Sequence, residues 1–300
     1  MSIEVKNVSK IYGEQKALDN VSFNIEPGQI VGFLGPNGAG KSTMMKIITC
    51  FIPQTEGQIK VCGFDVTEQP IDVKRHVGYL PEHNPLYLDM YVKEYLDFTA
   101  GVYKIANKKE RIKEMIEMVG LTIEQNKKIG ALSKGYRQRV GLAQAMIHNP
   151  DVLILDEPTT GLDPNQLEEI RNLIKRIGKE KTIMLSTHIM QEVEAICDKT
   201  IIINKGKIVA NDTTIELQKQ QSKTIILTVE FDKEVSKNQL EKIEGVSKAL
   251  NKVANTWYFE IKSDQVRNNI YQFAMQNELT VLTIQKETQS LENVFKKLTK

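Results

Sequence analysis

Residues 30–42 read IVGFLGPNGAGKS, an apolar run that leads into a glycine-rich loop. The run at 30–34 has no polar side chain, which is typical of a strand buried on both faces of a parallel sheet. The segment Lys41 to Phe51 has the composition of a helix. A glycine-rich loop between such a strand and a helix directs backbone N–H groups at an anion. The stretch therefore predicts an α/β fold with a phosphate-binding loop.

The loop fits the pattern G-x-x-x-x-G-K-[ST]. Glycines let the backbone wrap around phosphate oxygens, while Lys41 would reach the β- and γ-phosphates and the Ser42 hydroxyl would hold Mg²⁺. The Lys41-Ser42 pair favours a nucleoside triphosphate over a dinucleotide. The predicted phosphate-binding residues are Gly35, Pro36, Asn37, Gly38, Ala39, Gly40, Lys41 and Ser42.

A second apolar run, residues 152–155, ends in Asp156 and Glu157. An Asp at such a strand end can bind Mg²⁺ near the phosphates. Glu157, one residue further, can deprotonate a water for in-line attack on the γ-phosphate. Two acids could simply cap the strand, but their pairing with a phosphate loop favours catalysis.

The wider pattern alternates strands with helices, which indicates an α/β core. Residues 90–148 break this alternation with long helical periodicity, so we expect a helical subdomain inserted in the core. After residue 220 a βαββαβ order with an added helix predicts a small α+β domain of the ferredoxin-like type. The expected domains are 1–220 for nucleotide binding and 221–300 as an accessory domain.

The composition and the charge argue against a nucleic-acid-binding arm, a membrane span and a secretory signal. A net charge of +2 over 300 residues argues against a polybasic nucleic-acid arm. The longest apolar runs fall far short of the ~18 residues of a membrane span, and the amino terminus lacks a secretory apolar region. Three widely separated cysteines suit a reducing compartment. These features predict a cytoplasmic protein.

Residues 132–138 read LSKGYRQ and resemble the L-S-G-G-Q signature of ATP-binding-cassette ATPases. The family's order continues with Asp156-Glu157, then the turn Gly161–Asp163, then residues 186–188, which read STH. On these motifs the sequence is identified as a member of that family over residues 1 to about 220. The resemblance implies a P-loop ATPase core that uses ATP and Mg²⁺.

The resemblance also implies roles for individual residues. Tyr12 is similar to the aromatic residue that stacks on adenine, a contact worth roughly 1–3 kcal/mol. Thr43 would join Lys41 and Ser42 at the phosphates and Mg²⁺. His188 looks like the switch histidine that contacts the γ-phosphate.

Other motif residues imply a head-to-tail pair of subunits. Ser133 and Gly135, at a helix amino terminus, would contact a γ-phosphate held by a second copy. Asp163 resembles the loop residue that joins the two sites. The resemblance therefore implies a homodimer as the active state.

Two residues depart from the family pattern. Glu82 stands where the family has a Gln near Mg²⁺ and the attacking water; a carboxylate can also coordinate Mg²⁺, but it adds negative charge beside Glu157. Lys134 replaces the first signature glycine. Its cation could favour a γ-phosphate across the dimer, or its side chain could point elsewhere.

Glu82, Lys134 and the carboxy-terminal extension are similar to features of bacterial drug and lipid exporters. More narrowly, the chain resembles the ATP-binding subunits of gliding-motility-associated transporters of Bacteroidetes. The resemblance implies a separate transmembrane permease and a place on the inner face of the cell membrane. Tyr87, Leu88, Met90 and Tyr91 could contact that permease or form ordinary core.

Two other functions remain open. A soluble cassette ATPase acting on DNA or ribosomes is less favoured, because the segment from Lys41 to Asp156 holds no long heptad run and the chain has one cassette. No nucleic-acid partner is expected. A purely regulatory subunit is disfavoured by the intact Glu157, His188 and Ser133. A dimerisation or regulatory role for the accessory domain stays a hypothesis.

Overall fold

A computed structural model describes residues 1–220, 225–261, 263, 265–287 and 291–299. The start of the predicted accessory domain, residues 221–224, lies outside the described residues. The chain divides into two units, one of which contains Met1–Thr214 and Leu298–Lys300 and the other Ile215–Lys297.

The first unit contains two sheets and seven helices among the described residues. Its elements in chain order are β1 (Ile3–Tyr12), β2 (Gln15–Ile25), β3 (Ile30–Leu34), α1 (Lys41–Ile48), β4 (Glu56–Val61), β5 (Phe64–Asp65), α2 (Pro70–His76), β6 (Val77–Leu80), α3 (Val92–Val102), α4 (Lys108–Met118), α5 (Lys134–Met146), β7 (Val152–Asp156), α6 (Pro164–Gly178), β8 (Thr182–Thr187), α7 (Met190–Ile196), β9 (Lys199–Asn204) and β10 (Lys207–Thr213). A 3-10 turn, Ile129–Ala131, precedes α5.

The larger sheet has the strand order β10-β9-β3-β8-β7-β6. All neighbours pair in parallel except the β9–β10 hairpin. Every residue of β3, β7 and β8 is buried, as expected for strands of a parallel sheet that is covered on both faces. Because parallel strands end at one edge, the segments after β3, β6, β7 and β8 meet there.

The smaller sheet is antiparallel, in the order β2-β1-β4-β5. It shares one hydrophobic core with α1 and the larger sheet. Phe23 of β2 and Phe33 of β3, with ring centroids 5.7 Å apart, show this contact between layers. The helices α3, α4 and α5 lie between β6 and β7 in sequence and form the inserted helical segment.

The elements that lie wholly or mainly in the second unit are α8 (Thr214–Gln220), β11 (Ile225–Phe231), α9 (Lys237–Leu240), β12 (Val246–Val253), β13 (Thr256–Ile261), α10 (Val266–Gln276), β14 (Val281–Glu287) and α11 (Leu291–Leu298). Its antiparallel sheet has the order β12-β13-β11-β14, the ferredoxin-like order. Alternate residues of β13 are buried, namely Trp257, Phe259 and Ile261. Their core includes Leu240 of α9 and Ile270 of α10. The predicted fold class is confirmed.

One boundary differs from the prediction. Helix α1 ends at Ile48, and two residues later Cys50 adopts φ 58°, in the left-handed region. A left-handed residue just past a helix end stops the regular hydrogen-bond ladder. The residues from Cys50 to Ile52 are apolar like those of α1, which is why the sequence predicts a longer helix, but they lie beyond its end.

His148 is a half-buried titratable group just beyond α5. Its ring stacks on Tyr103 with centroids 4.0 Å apart, and Nε2 donates a hydrogen bond to the Val77 carbonyl oxygen at 3.1 Å. Burial lowers the pKa of His148 to about 4. The folded protein therefore holds this imidazole neutral at pH values where an unfolded chain would bind a proton.

We expect stability to fall as the pH drops from about 6.5, the usual histidine pKa, to about 4. In this window the unfolded state binds one more proton than the folded state at His148, which costs at most about 1.4 kcal/mol per pH unit. A His148→Gln variant should show a shallower fall in its thermal unfolding temperature over the same range. Equal pH dependence in the two proteins would show that His148 is not the group responsible.

Candidate active site

A cleft of about 640 Å³ opens at the edge of the larger sheet where the parallel strands end. It is lined by the glycine-rich loop and the first turn of α1, together with Tyr12, Glu82, Glu157 and His188. The fold thus brings together residues that are spread over more than half of the chain.

The glycine-rich loop passes close to neighbouring backbone. Gly38 and Gly40 have φ values of 78° and 110°, which favour glycine. A Cβ on Gly40 would lie 2.5 Å from the Ala17 carbonyl oxygen, and one on Gly35 would lie 2.5 Å from the Ile203 carbonyl oxygen. Packing therefore requires glycine at positions 35 and 40, and backbone conformation favours it at 38 and 40.

Lys41 is a buried cation enclosed by this loop. Its side chain is 7% exposed, and Nζ donates a hydrogen bond to the Gly35 carbonyl oxygen at 2.8 Å. Nζ also lies 3.5 Å from Glu157 Oε1. Since Lys41 is the first residue of α1, its ammonium adds to the partial positive charge of the helix amino terminus. An anion in the cleft would meet both charges.

Ser42 and Asp156 supply neighbouring oxygen atoms. The Ser42 hydroxyl donates to Asp156 Oδ1 at 3.3 Å, and the Ser186 hydroxyl donates to the same oxygen. Asp156 is 3% exposed. A hydroxyl and a carboxylate are the hard oxygen ligands that Mg²⁺ prefers, and Mg²⁺ usually keeps several waters besides one or two such ligands. This donor pair fits Mg²⁺.

Glu157 adopts a left-handed backbone conformation, with φ 49°. Such a conformation costs of order 1 kcal/mol for a residue other than glycine and persists only where the surroundings impose it. Here the Glu157 N–H donates to both the carbonyl oxygen and the hydroxyl oxygen of Ser186, at 3.2 and 3.0 Å. The chain therefore turns sharply at the end of β7 and directs this side chain at the cleft.

The Glu157 carboxylate is enclosed by polar groups. The Thr160 hydroxyl donates to Oε2 at 3.1 Å, and His188 Nδ1 lies 3.0 Å from the same oxygen. Lys41 lies beside Oε1. With its side chain only 8% exposed, this carboxylate is oriented from three sides, as a base that must align one water requires.

Tyr12 and Glu82 occupy the more open part of the cleft. Tyr12 ends β1 with 49% of its surface exposed, and the Lys10 ammonium lies 5.1 Å from its ring centroid. An exposed ring at the mouth of the cleft can stack on a planar ligand.

Glu82 directly follows the loop residue after β6 and lines the same cleft. Burial raises the pKa of the Tyr79 hydroxyl, and the charges of Asp156 and Glu82 raise it further. The carboxylates of Asp156 and Glu82 therefore both lie near the Tyr79 hydroxyl.

Ser133, Gly135 and Asp163 lie together elsewhere on the first unit. Ser133 caps α5 and accepts a hydrogen bond from the Tyr136 N–H, while Asp163 caps α6 and accepts one from the Gln166 N–H at 2.9 Å. A Cβ on Gly135 would lie 2.6 Å from Gln166 Oε1, so the first turns of the two helices are in contact. These residues form a second group, and none of them lines the cleft.

Lys134 extends over the neighbouring turn. A Cβ on Gly161 would lie 2.3 Å from Lys134 Nζ. Lys134 also lines a second cleft with Glu82, Glu157 and Thr160. The Lys134 ammonium therefore lies beside the turn before α6 of its own chain, and its role toward a γ-phosphate across a dimer stays a prediction.

Two residues of the site are absent from the sequence-based prediction. Ser186 contacts Asp156 and Glu157, and Thr160 contacts Glu157. The pairing of β7 with β8 places Ser186 directly beside Asp156. Ser186 could have been found from that register, because it is the penultimate residue of β8, the strand that precedes His188.

Fold and site together define a nucleotide-hydrolysing protein of the P-loop class. The model of the ABC transporter family matches residues 18–160. The chain is 34% identical over 298 residues, 99% of both chains, to the uncharacterized ABC transporter ATP-binding protein YxlF of Bacillus subtilis. It is 39% identical over 223 residues, 74% of this chain and 72% of that protein, to the bacitracin transport ATP-binding protein BcrA of Bacillus licheniformis.

Among solved structures, a dimeric ATP-binding cassette in a post-hydrolysis state bound to ADP and Pi has a TM-score of 0.65. It is 28% identical and covers 70% of this chain and 98% of its own. The chain belongs to the ATP-binding proteins of the ABC transporter family, and it is an ATPase. Across the residues that the structure describes, no helix combines the length and the apolar character that a membrane span needs.

Proposed function

We propose that this chain is the ATP-hydrolysing subunit of a transporter, in which two copies pair head to tail on ATP and drive a separate transmembrane permease. The observation that carries the proposal is the Glu157 carboxylate, held by Lys41, His188 and Thr160 at the rim of the phosphate loop. A subunit that merely binds nucleotide would not need a buried, oriented base at this position.

In this proposal ATP lies with its base on Tyr12 and its phosphates in the loop of residues 35–43. Ser42 and Asp156 hold Mg²⁺, with Glu82 as an additional oxygen ligand. The metal supplies positive charge that offsets the phosphate oxygens. The backbone N–H groups of the loop and the Lys41 ammonium then bind and orient the γ-phosphate.

Hydrolysis follows from the positions of three side chains. Glu157 accepts a proton from the water that attacks the γ-phosphorus, and the bond from that phosphorus to the bridging oxygen of ADP breaks in line. His188 and Lys41 stabilise the charge that develops on the γ-oxygens. The Thr160 hydroxyl keeps the carboxylate oriented.

The proposed dimer uses the group formed by Ser133, Gly135 and Asp163. Ser133 and Asp163 are exposed at the starts of α5 and α6, so a second copy can reach both helix amino termini. The partial positive charge there suits a γ-phosphate held in the partner's cleft. Each composite site would then consist of the cleft of one copy and the Ser133, Gly135 and Asp163 group of the other.

The proposed permease surface lies on the loop between β6 and α3. Tyr87, Leu88 and Tyr91 are 56%, 49% and 48% exposed, and Phe98 contacts the Tyr87 ring with centroids 5.9 Å apart. A contiguous apolar patch on a protein surface marks a partner-binding site. Leu88 also lines the second cleft with Glu82 and Glu157, which gives a short route from hydrolysis to the permease.

Replacing Leu88 with Asp should abolish co-purification of the membrane subunit with the tagged chain, because it places a charge in the proposed apolar interface. ATP hydrolysis by the isolated chain should be nearly unchanged. Ile123→Asp is the matched control, since Ile123 is 87% exposed on another part of the helical segment. Recovery of the same membrane protein with both variants would contradict this surface.

We extend the proposal to an exporter, on the inner face of the cell membrane. The support is the likeness to the bacitracin transport protein, and the resemblance of Glu82, Lys134 and the carboxy-terminal extension to exporter subunits. The narrower assignment to gliding motility rests on sequence resemblance alone.

The division into a nucleotide-binding domain, 1–220, and an accessory domain, 221–300, is part of the same proposal.

A further inference from the structure

Three possible metal ligands meet in the first unit, away from the ATP cleft. Cys62 lies in the turn between β4 and β5, His76 is the last residue of α2, and Asp151 directly precedes β7. Their ligand atoms all lie within 4.8 Å of one another. Since β7 begins here and ends at the cleft, the cluster lies at the opposite edge of the larger sheet.

The surrounding structure holds these side chains in place. His76 Nδ1 lies 2.5 Å from Asp151 Oδ2, and the Asp151 N–H donates to the His76 carbonyl oxygen at 3.1 Å. The Phe64 ring stacks on the imidazole with centroids 5.2 Å apart. The Cys62 N–H donates to the Ser2 carbonyl oxygen at 2.9 Å. Four segments of chain therefore bring the three ligands together before any ion binds.

We propose that Cys62, His76 and Asp151 bind a zinc ion. Thiolate, imidazole and carboxylate form a mixed ligand set that Zn²⁺ accepts in tetrahedral geometry, whereas Mg²⁺ and Ca²⁺ take oxygen ligands. On binding, the S–Zn bond forms and the thiol proton leaves to solvent. A water molecule completes the coordination.

Zinc binding requires small adjustments of the three side chains. Zinc bonds of about 2.0–2.3 Å place tetrahedral ligand atoms roughly 3.3–3.8 Å apart. Separations of up to 4.8 Å must therefore shorten by about 1 Å, and the 2.5 Å contact between His76 Nδ1 and Asp151 Oδ2 must lengthen by about 1 Å. Side-chain rotation at these partly exposed positions allows both changes. His76 and Asp151 are 36% and 60% exposed, so an ion can enter from solvent.

Bound zinc would join the β4–β5 turn, α2 and the start of β7. Because none of the three ligands lines the ATP cleft, the ion would act on the structure of this edge rather than on hydrolysis. This inference does not depend on the proposed transport function. It predicts metal-dependent stability with ATP hydrolysis left unchanged.

The test is a titration of the full chain with ZnCl₂, without nucleotide, against a competing chelator. The wild-type chain should bind one high-affinity Zn²⁺, and Cys62→Ser and Asp151→Asn should weaken that binding by at least roughly tenfold. Cys50→Ser is the matched control, because Cys50 is another half-buried thiol in the same unit and should leave binding unchanged. ATP hydrolysis by all three variants checks that they fold.

A second readout separates this cluster from the ATP cleft, where Glu157 and His188 could also take a metal ion. With Co²⁺ as the probe, thiolate-to-metal absorption should appear in the wild type, in Cys50→Ser and in Glu157→Gln. It should be missing from Cys62→Ser. Absence of binding by the wild type, or equal binding by Cys62→Ser, would overturn the proposal.

Discussion

Replacing Glu157 with Gln should lower the steady-state rate of ATP hydrolysis by about 100- to 10 000-fold, the usual contribution of a general base. The amide keeps the size of the side chain but cannot accept the proton of the attacking water. ATP affinity should be retained, because the loop around Lys41 is unchanged. Phosphate release measured at saturating ATP gives the rate directly.

Glu168→Gln is the matched control for this variant, since it makes the same chemical change at an exposed position of α6. Its rate should equal that of the wild type. Near-normal turnover by the Glu157 variant would exclude this residue as the base. The backbone of Glu157 is strained, with φ 49°, so a substitution there could change the stability of the fold. The circular dichroism and the unfolding temperature of the Glu157→Gln protein should therefore be compared with those of the control.

Replacing Lys41 with Ala should weaken nucleotide binding by about 10- to 100-fold, since a hydrogen bond to a charged group contributes about 1.5–3 kcal/mol. The loss arises because the ammonium is enclosed by the loop and faces the place that the phosphates would occupy. Binding of a non-hydrolysable ATP analogue by calorimetry measures the change.

Lys46→Ala provides the matched control, because Lys46 lies on the same helix but is exposed to solvent. It should bind the analogue as the wild type does. If Lys41→Ala also bound with unchanged affinity, the assignment of residues 35–43 as the phosphate-binding loop would be wrong.

Much of the fold could be predicted because the decisive segments carry their own signals. The runs at 30–34 and 152–155 have no polar face, so they must be covered on both sides, and parallel strands then end at one edge. That edge brings the glycine loop to Asp156 and Glu157. The placement of these residues follows from the strand pattern even before side chains are considered.

Other features depend on contacts that no local pattern encodes. The left-handed conformation of Glu157 is imposed by hydrogen bonds from its N–H to Ser186, which lies on the adjacent strand. The position of Lys134 over Gly161 depends on how α5 meets the turn before α6. Both require the register between distant segments, which sequence spacing alone does not fix.

The cluster of Cys62, His76 and Asp151 also depends on contacts between distant segments, which the sequence alone does not reveal. In the sequence Cys62 is an isolated thiol, because the three cysteines are far apart and form no metal-ligand pair. Its neighbours arrive through the β4–β5 turn, the end of α2 and the start of β7. Only the assembled sheet places the three side chains together.

The central claim is that two copies of this chain close on ATP, each completing the other's site. Sedimentation velocity of Glu157→Gln with ATP and Mg²⁺ tests it most directly, because slow hydrolysis should trap the closed pair. We expect a dimer with ATP, a monomer with ADP, and a monomer under both conditions when Lys41→Ala is added. A Glu157→Gln chain that binds ATP and still sediments as a monomer would contradict the account.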